Sequence, residues 1–114
     1  MPTFVDQSSR TSTPVPVPRA LTIAEIKDYI EWFAQAAANA VHGAGFDGVE
    51  LHAANGYILD QFLQDGTNQR TDEYGGGIQG RTKFLLDVLE AVIEQVGEER
   101  VAVRLSPWNK WQGQ

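Results

Sequence analysis

The sequence contains no cysteine. Without a thiol, the chain can form neither a disulfide nor a thiolate metal site, and it has no cysteine nucleophile. The absence fits a reducing compartment, and we expect no bound metal.

Basic residues are also scarce. Nine Lys and Arg residues oppose fifteen Asp and Glu residues, which gives a formal net charge of −6. Nucleic acids and anionic membranes are bound through clustered Lys and Arg side chains that neutralise phosphates. The charge balance therefore argues against a nucleic-acid partner and against a membrane surface.

Long apolar runs are missing as well. No stretch approaches the roughly 20 apolar residues that a membrane span requires. Residues 1–10 lack the apolar segment of a secretory signal. We therefore expect a cytoplasmic protein without a membrane partner.

What is present is the composition of a globular domain. Hydrophobic residues make up 42% of the sequence and charged residues 21%, both close to the usual values for soluble proteins. The 114 residues can form one domain at most. A packed core is expected, and disorder throughout is not.

The first 20 residues differ in composition from the rest. They are rich in Ser, Thr and Pro, and Pro14, Pro16 and Pro18 each block helix formation and favour extended backbone. We predict an extended arm over residues 1–20 and a folded segment over residues 21–114.

The folded segment alternates helical and strand patterns. Thr22 and Glu25 form a capping-box pair, and the apolar residues that follow recur at helical spacing until Gly43 and Gly45. The patterns predict a helix over 22–42, a strand over 46–52, a short helix over 57–64, a loop over 65–80, a helix over 81–96 and a strand over 100–105.

Two strands joined by a crossover helix pair in parallel, with right-handed connectivity. A two-stranded parallel sheet leaves unpaired backbone groups on both outer edges, and such sheets are usually covered on both faces. We therefore expect a homo-oligomer, or a partner chain, to complete the sheet.

Four stretches carry specific motifs: AGFDGVELHAAN at 44–55, GYILDQFLQ at 56–64, DGTNQRTDEYGG at 65–76 and RLSPW at 104–108. Together they resemble the old yellow enzyme family of FMN-dependent ene-reductases. The resemblance spans residues 18–113. It implies an α/β fold, namely part of a (β/α)8 TIM barrel around its fourth and fifth strands.

The resemblance implies roles for four residues. His52 and Asn55 correspond to the pair that hydrogen-bonds the substrate's carbonyl or nitro oxygen. Tyr57 corresponds to the proton donor, and Arg104 corresponds to a residue that contacts the flavin ring. The family further implies FMN as cofactor, NAD(P)H as reductant and an enone or other carbonyl compound as substrate.

The sequence also departs from the family pattern. Gly80 stands where the family usually has Asn before its Arg, and Gly77 often replaces a Ser, so we expect a loose loop. A complete barrel needs about 250 residues, and the strands that make most FMN contacts in the family are not encoded here. We expect a truncated internal segment that obtains its other strands elsewhere.

The chemistry of the three substrate-side residues is coherent on its own. Two neutral donors aimed at a carbonyl oxygen stabilise a developing enolate, and a phenol with a pKa of about 10 donates a proton readily at neutral pH. A second hypothesis is therefore a cofactor-free isomerase, lyase or cyclase that uses His52, Asn55 and Tyr57 in a homo-oligomer. A third is a non-catalytic relic or interaction module.

Each site residue also has a structural interpretation. His52 could be a structural histidine at a strand end, Asn55 could simply form a turn with Gly56, and Tyr57 could anchor a short helix. Arg104 lies on an apolar strand, where a buried guanidinium needs a partner, and that partner could be Glu50 on the neighbouring strand.

Residues outside this site are assigned structural roles. His42 lies near a helix C-terminus, where the helix dipole favours a cation. In the long loop, we expect Asp72, Glu73 and Tyr74 to satisfy backbone groups or to pair with Arg70 or Arg81. We interpret Trp108 and Trp111 as candidates for an interface.

Overall fold

The computed structural model describes residues 3–5, 12–14 and 17–107. In chain order, its helices and strands are β1 (Thr3–Val5), β2 (Ser12–Pro14), α1 (Ile23–Ala38), β3 (Val49–Ala53), α2 (Ile58–Leu63), α3 (Ile78–Val96) and β4 (Val101–Leu105). The predicted order of helix, strand, helix, helix and strand over the folded segment is confirmed. Trp108 and Trp111, proposed as interface residues, lie outside the described residues.

The N-terminal arm contains a short strand pair. Strands β1 and β2 are antiparallel, with Thr3 opposite Pro14 and Val5 opposite Ser12. Extended backbone was predicted here, but the pairing was not, because nothing in the local composition identifies which extended segments will meet.

Helix α1 begins where the capping box predicts. The Glu25 backbone N–H donates to Thr22 Oγ1 at 3.1 Å, and the Thr22 N–H donates to Glu25 Oε1 at 2.9 Å. Arg19 also donates to both Glu25 oxygens, and this pairing lowers the pKa of Glu25 to about 2. Both carboxylate oxygens of Glu25 therefore accept hydrogen bonds at the start of the helix.

The end of α1 differs from the prediction. The α-helical pattern stops at Ala38, and a π-helical turn over Asn39–Gly43 follows. Gly45 then takes a positive φ of 83°, as expected for a glycine that turns the chain out of a helix. The helical path therefore ends near the predicted residue, but its last turn is wider than an α-helical turn.

Strands β3 and β4 form a parallel pair. Val49 lies opposite Val101 and Ala53 opposite Leu105, which confirms the predicted parallel pairing. Strand β3 begins at Val49, three residues later than predicted. Just before β3, the backbone at Gly48 lies close to Arg100. A Cβ added at Gly48 would lie only 2.7 Å from the Arg100 carbonyl oxygen.

The helices cover only one face of this sheet. Leu51 and Ala53 are buried, whereas Glu50 and His52, on the opposite face of β3, are exposed. The sequence suggested a buried strand, and it is buried on one face alone, since the described helices all contribute to a single core on that side. The core consists of Ile26, Ala37, Leu51, Ala53, Leu59, Phe62, Tyr74, Phe84, Leu85, Val88, Val92 and Val96.

The loop between α2 and α3 is held by side chains rather than loose. Asn68 is 8% exposed, and its amide donates to the carbonyls of Phe62 and Tyr74 at 2.8 and 2.9 Å. Arg70 pairs with Asp72 at 2.6 Å, as predicted, and also donates to the Leu21 carbonyl at 2.6 Å. These bonds connect the loop to itself and to the segment before α1.

The departure from the family pattern at Gly80 has a structural reason. Helix α3 begins at Ile78, three residues before the predicted start, so Gly80 lies within its first turn. A Cβ at position 80 would overlap the Gly75 backbone. The expectation of a loose loop at this glycine was therefore wrong, because Gly80 permits a close backbone contact that a larger residue would prevent.

The centre of the core should depend strongly on Phe84. Phe84 is fully buried and meets Phe62 edge to face, with ring centroids 4.6 Å apart. We expect Phe84→Ala to lower the free energy of unfolding by about 3–5 kcal/mol, because it leaves a cavity. Leu86→Ala, at a position that is 55% exposed, should change it by no more than about 0.5 kcal/mol. Urea denaturation followed by circular dichroism measures both, and equal effects would contradict this core assignment.

Tyr74 should give the stability a distinct dependence at high pH. Burial, together with its hydrogen bond to Asp87, raises the pKa of Tyr74 from 10.0 to about 12. Because the folded state holds this proton more tightly, the contribution is complete below pH 10 and is lost as pH rises through 12. We expect Tyr74→Phe to remove this part of the decline, as measured by denaturation midpoints between pH 9 and the alkaline limit. Tyr29→Phe, which removes a hydroxyl from α1 instead, is the control. Parallel curves for Tyr74→Phe and the parent chain would exclude the effect.

Candidate active site

The candidate site lies at the C-terminal end of the β3–β4 pair. His52 stands directly opposite Arg104 in the parallel register, and both side chains are exposed. Paired residues of neighbouring strands point to the same face. The sheet therefore places His52 and Arg104 side by side on its uncovered face.

A tight turn follows β3. Asn55 has a φ of 58° and Gly56 a φ of 81°, and the Tyr57 N–H donates back to the Ala54 carbonyl at 3.3 Å. Two consecutive positive φ values are those of a type I′ turn, which Asn-Gly favours. The structural interpretation of Asn55-Gly56 as a turn is thus confirmed, and the turn also reverses the chain beside His52.

The turn brings Tyr57 against His52. Their ring centroids are 5.0 Å apart with an interplanar angle of 43°, and the Tyr57 ring is 52% exposed. Tyr57 precedes α2 as its N-cap residue. Tyr57 thus stands at the start of the short helix, as its structural interpretation also expects, and it is half exposed beside His52.

Arg104 forms the ion pair that was considered as its structural role. Its Nε lies 2.7 Å from Glu50 Oε1, with side-chain exposures of 62% and 49%. The hydrogen bond to Glu50 raises the pKa of Arg104. The expectation of a buried guanidinium was wrong, since β4 is uncovered on this face.

Three polar residues at the turn were not identified from the sequence as part of the site. The Asn55 N–H donates to Ser106 Oγ at 2.8 Å, and the Gly56 N–H donates to Asp60 Oδ2 at 2.9 Å. Gln61 Nε2 donates to the Gly56 carbonyl at 2.8 Å. The sequence signal that could have indicated Asp60 is a short polar side chain close to an Asn-Gly turn, whereas Ser106 lies 51 positions from Asn55 and has no such signal.

The open face is a surface rather than an enclosed cavity. Cavities of about 660, 450 and 380 Å³ lie elsewhere, around the loop and helices α1 and α3, and none of these three is lined by His52, Asn55, Tyr57 or Arg104. Any pocket around the four residues therefore needs walls in addition to those of the described chain.

The composition and geometry of residues 3–5, 12–14 and 17–107 also bear on the class of site. These residues contain no group of three or more His, Cys, Asp or Glu side chains placed to hold a metal ion. No helix in the same ranges has the length and apolar character needed to cross a membrane.

His42, the other histidine, lies away from this site. Its Nε2 is 2.8 Å from the Gln95 carbonyl oxygen, so the ring connects the end of α1 to the end of α3. This contact agrees with the structural role that the sequence suggested.

Known proteins of similar sequence share this segment. The probable flavin mononucleotide-dependent alkene reductase of Leishmania infantum is 55% identical over 101 residues, which is 89% of this chain and 27% of that protein. The probable inactive dehydrogenase easA of Claviceps purpurea is 54% identical over 98 residues, or 86% of this chain and 26% of that protein. The chain spans about a quarter of the length of these relatives.

The fold is shared as well. Old Yellow Enzyme from Pichia sp. AKU4542 matches with a TM-score of 0.82 and 50% sequence identity, over 83% of this chain and 25% of that structure. The chain is therefore a partial (β/α)8 barrel with two parallel strands. Residues 2–114 also match the model of the NADH:flavin oxidoreductase / NADH oxidase family, and the chain belongs to that family.

Proposed function

We propose that this chain provides the substrate-binding end of an FMN-dependent ene-reductase that uses NAD(P)H. In this proposal His52 and Asn55 bind the carbonyl oxygen of an activated alkene, Tyr57 donates the proton and Arg104 contacts the flavin. The observation that carries it is the uncovered face of the sheet. There the ring centroids of His52 and Tyr57 lie 5.0 Å apart, and His52 lies opposite Arg104 in the register.

His52 and Asn55 supply hydrogen-bond donors. When an electron pair adds to the alkene, the conjugated carbonyl oxygen becomes negatively charged. Donors already in position stabilise that charge without reorganising, and each is worth about 3–4 kcal/mol of activation energy. The turn at Asn55 follows directly after β3, near the end of the strand that carries His52.

Tyr57 is suited to the second half of the reaction. The enolate carbon must take up a proton, and a phenol hydroxyl is a group that can donate one as a general acid. Tyr57 is half exposed, and its ring lies tilted beside that of His52. A substrate held by His52 would therefore lie within reach of the Tyr57 hydroxyl.

The residues present fit a flavin at the β4 side. Arg104 provides an exposed guanidinium, a group that donates to the carbonyl and nitrogen acceptors along a flat ring edge. Ala102, which shares this face with Glu50 and Arg104 in the register, leaves room for a planar group. When bound, FMN would supply the electron pair that it takes from NAD(P)H.

Relatives of similar sequence identity differ in the activity that is described for them. One is described as a probable alkene reductase and another as a probable inactive dehydrogenase. The proposed activity therefore depends on the site residues, and His52, Asn55, Tyr57 and Arg104 are all present in this chain.

We further propose that other strands complete the sheet. Within the described part of the chain, β3 and β4 pair only with each other, and their outer backbone groups need partners away from water. Leu105 is 56% exposed on this sheet. Additional copies of the chain, or a partner chain, would supply both the missing strands and the walls of the pocket.

A second candidate is a cofactor-free isomerase, lyase or cyclase within a homo-oligomer. It is favoured by one observation: the three substrate-side groups lie within the continuous segment 52–57, around a single turn. Carbonyl activation and proton transfer need only those groups. A non-catalytic relic is the remaining possibility, and a stable oligomer with turnover would exclude it.

Reconstitution of the purified chain tests the first proposal. We expect FMN absorbance to co-elute with an assembly heavier than one chain in size-exclusion light scattering, and we expect NADPH oxidation with cyclohexenone. His52→Ala should lower kcat by about 10²–10³-fold, whereas His42→Ala should not. A colourless protein without NADPH oxidation would refute the redox function. Isomerisation of an enone by that same colourless protein would support the second candidate.

The two roles of Arg104 can be separated. An exposed ion pair contributes little to stability, so Glu50→Gln and Arg104→Gln should leave the denaturation midpoint unchanged. We expect Arg104→Gln to weaken FMN binding, measured by flavin fluorescence titration, because it removes the cation that faces the ring. Arg100→Gln is the matched control, since Arg100 donates instead to the Asp47 carbonyl at 2.8 Å. Equal loss of stability in both variants of the pair, with unchanged FMN affinity, would make Arg104 structural.

A further inference from the structure

The turn after β3 is held from outside at consecutive positions. Ser106 accepts from the Asn55 N–H, Asp60 accepts from the Gly56 N–H, and Gln61 donates to the Gly56 carbonyl, all at 2.8–2.9 Å. The turn's own backbone bond, from the Tyr57 N–H to the Ala54 carbonyl, is longer at 3.3 Å. The side chains therefore hold this turn more closely than its own backbone bond does.

The turn needs such support because of its backbone conformation. Among the described residues, Asn55 is the only non-glycine residue with positive φ. Left-handed backbone costs a residue with a side chain free energy, and it persists where the surroundings determine it. The same conformation sets the direction of the Asn55 amide.

Asp60 is placed in an unusual position for a carboxylate. It is 1% exposed and lies in α2, between the core residues Leu59 and Phe62. Its Oδ2 accepts from the Gly56 N–H and its Oδ1 from Gln64 Nε2 at 3.0 Å. Burying a carboxylate is costly unless it is hydrogen-bonded, and an apolar residue would suit the core here. The bond to the turn is what this carboxylate supplies.

Ser106 joins the turn to the other strand. It directly follows β4 (Val101–Leu105) and lies two residues beyond Arg104. Its bond to the Asn55 N–H therefore sets the distance between the turn after β3 and the strand that carries the proposed flavin contact.

We propose that Asp60 and Ser106 are positioning residues of the active site: they fix the Asn55-Gly56 turn and thereby the directions of Asn55 and Tyr57. The proposal rests on the proposed function for its catalytic consequence. Its structural part, the restrained turn, does not depend on that function and can be measured without any cofactor.

Amide exchange and deamidation report on the turn itself. An Asn-Gly sequence can form a succinimide: the Gly56 nitrogen bonds to the Asn55 side-chain carbonyl carbon, that carbon loses its bond to the amide nitrogen, and ammonia leaves. Water then opens the ring to aspartate or isoaspartate. While the Gly56 N–H is bonded to Asp60 and the turn is fixed, this attack is restrained.

The test uses the 114-residue chain with Asp60→Ala, Asp60→Asn, Ser106→Ala and Ser106→Thr. We expect Asp60→Ala to speed exchange of the Gly56 amide, measured by NMR, and to speed deamidation at Asn55, measured by mass spectrometry of peptides. Ser106→Ala should speed exchange of the Asn55 amide. Asp60→Asn should behave like the parent, because its oxygen can accept from Gly56 while the Gln64 amide turns to accept from its nitrogen. Ser106→Thr keeps the acceptor oxygen.

Kinetics of the FMN-reconstituted chain with cyclohexenone test the catalytic part. We expect Asp60→Ala and Ser106→Ala to lower kcat by about 10- to 100-fold, since small displacements of a catalytic group have effects of that size. The two conservative variants should restore it. Asp65→Ala, which removes an exposed carboxylate from the next loop, is the control and should match the parent.

Each outcome decides a different point. Unchanged exchange at Asn55 and Gly56 in both alanine variants would overturn the restraint. Faster exchange with unchanged kcat would overturn the positioning role. If Asp60→Ala does not fold, Ser106→Ala, which alters a less buried residue, decides both points. A parent chain with restrained amides but no turnover of cyclohexenone would refute the proposed function and the positioning role that rests on it, while leaving the restrained turn established.

Discussion

The parallel pairing of β3 with β4 is the constraint on which the rest of this structure depends. The register sets His52 opposite Arg104 and Glu50 opposite Ala102, and it sends the alternate residues Leu51 and Ala53 into the core. One face of the pair is thus committed to hydrophobic packing with the helices. The other face is left to the polar side chains, and it is there that the candidate site lies.

This division also explains why the chain presents the candidate site residues without enclosing them. Helices α1 and α3 pack on the apolar side, around a core centred on Phe84 and Val88. In a complete barrel, the strands close into a cylinder, and this second face lies inside it. The present chain has about a quarter of the length of its relatives. Its two strands correspond to one sector of that cylinder, with the candidate site at its C-terminal end.

Local conformation and chemistry meet at the Asn55-Gly56 turn. The left-handed backbone at Asn55 is unfavourable for a residue with a side chain, and three polar side chains from α2 and the end of β4 hold it in place. Asp60 is buried in α2 to do so. Stability and site geometry are therefore not independent here, because the carboxylate that interrupts the apolar face of α2 also supports the turn that carries Asn55.

What the sequence by itself determined is what depends on neighbouring residues. The capping box at Thr22, the order of helices and strands, and the turn at Asn55 all follow from local hydrogen bonds and side-chain periodicity, and the motifs identified the family. What only the tertiary structure decided involves residues far apart: which face of β3 is covered, the bond of Asn55 to Ser106 across 51 positions, and the close approach of Gly48 to Arg100 just before β3. Even Arg104, whose partner Glu50 was considered from the sequence, proved exposed rather than buried. Burial and long-range pairing depend on how the strands and helices meet, and local patterns carry little information about that.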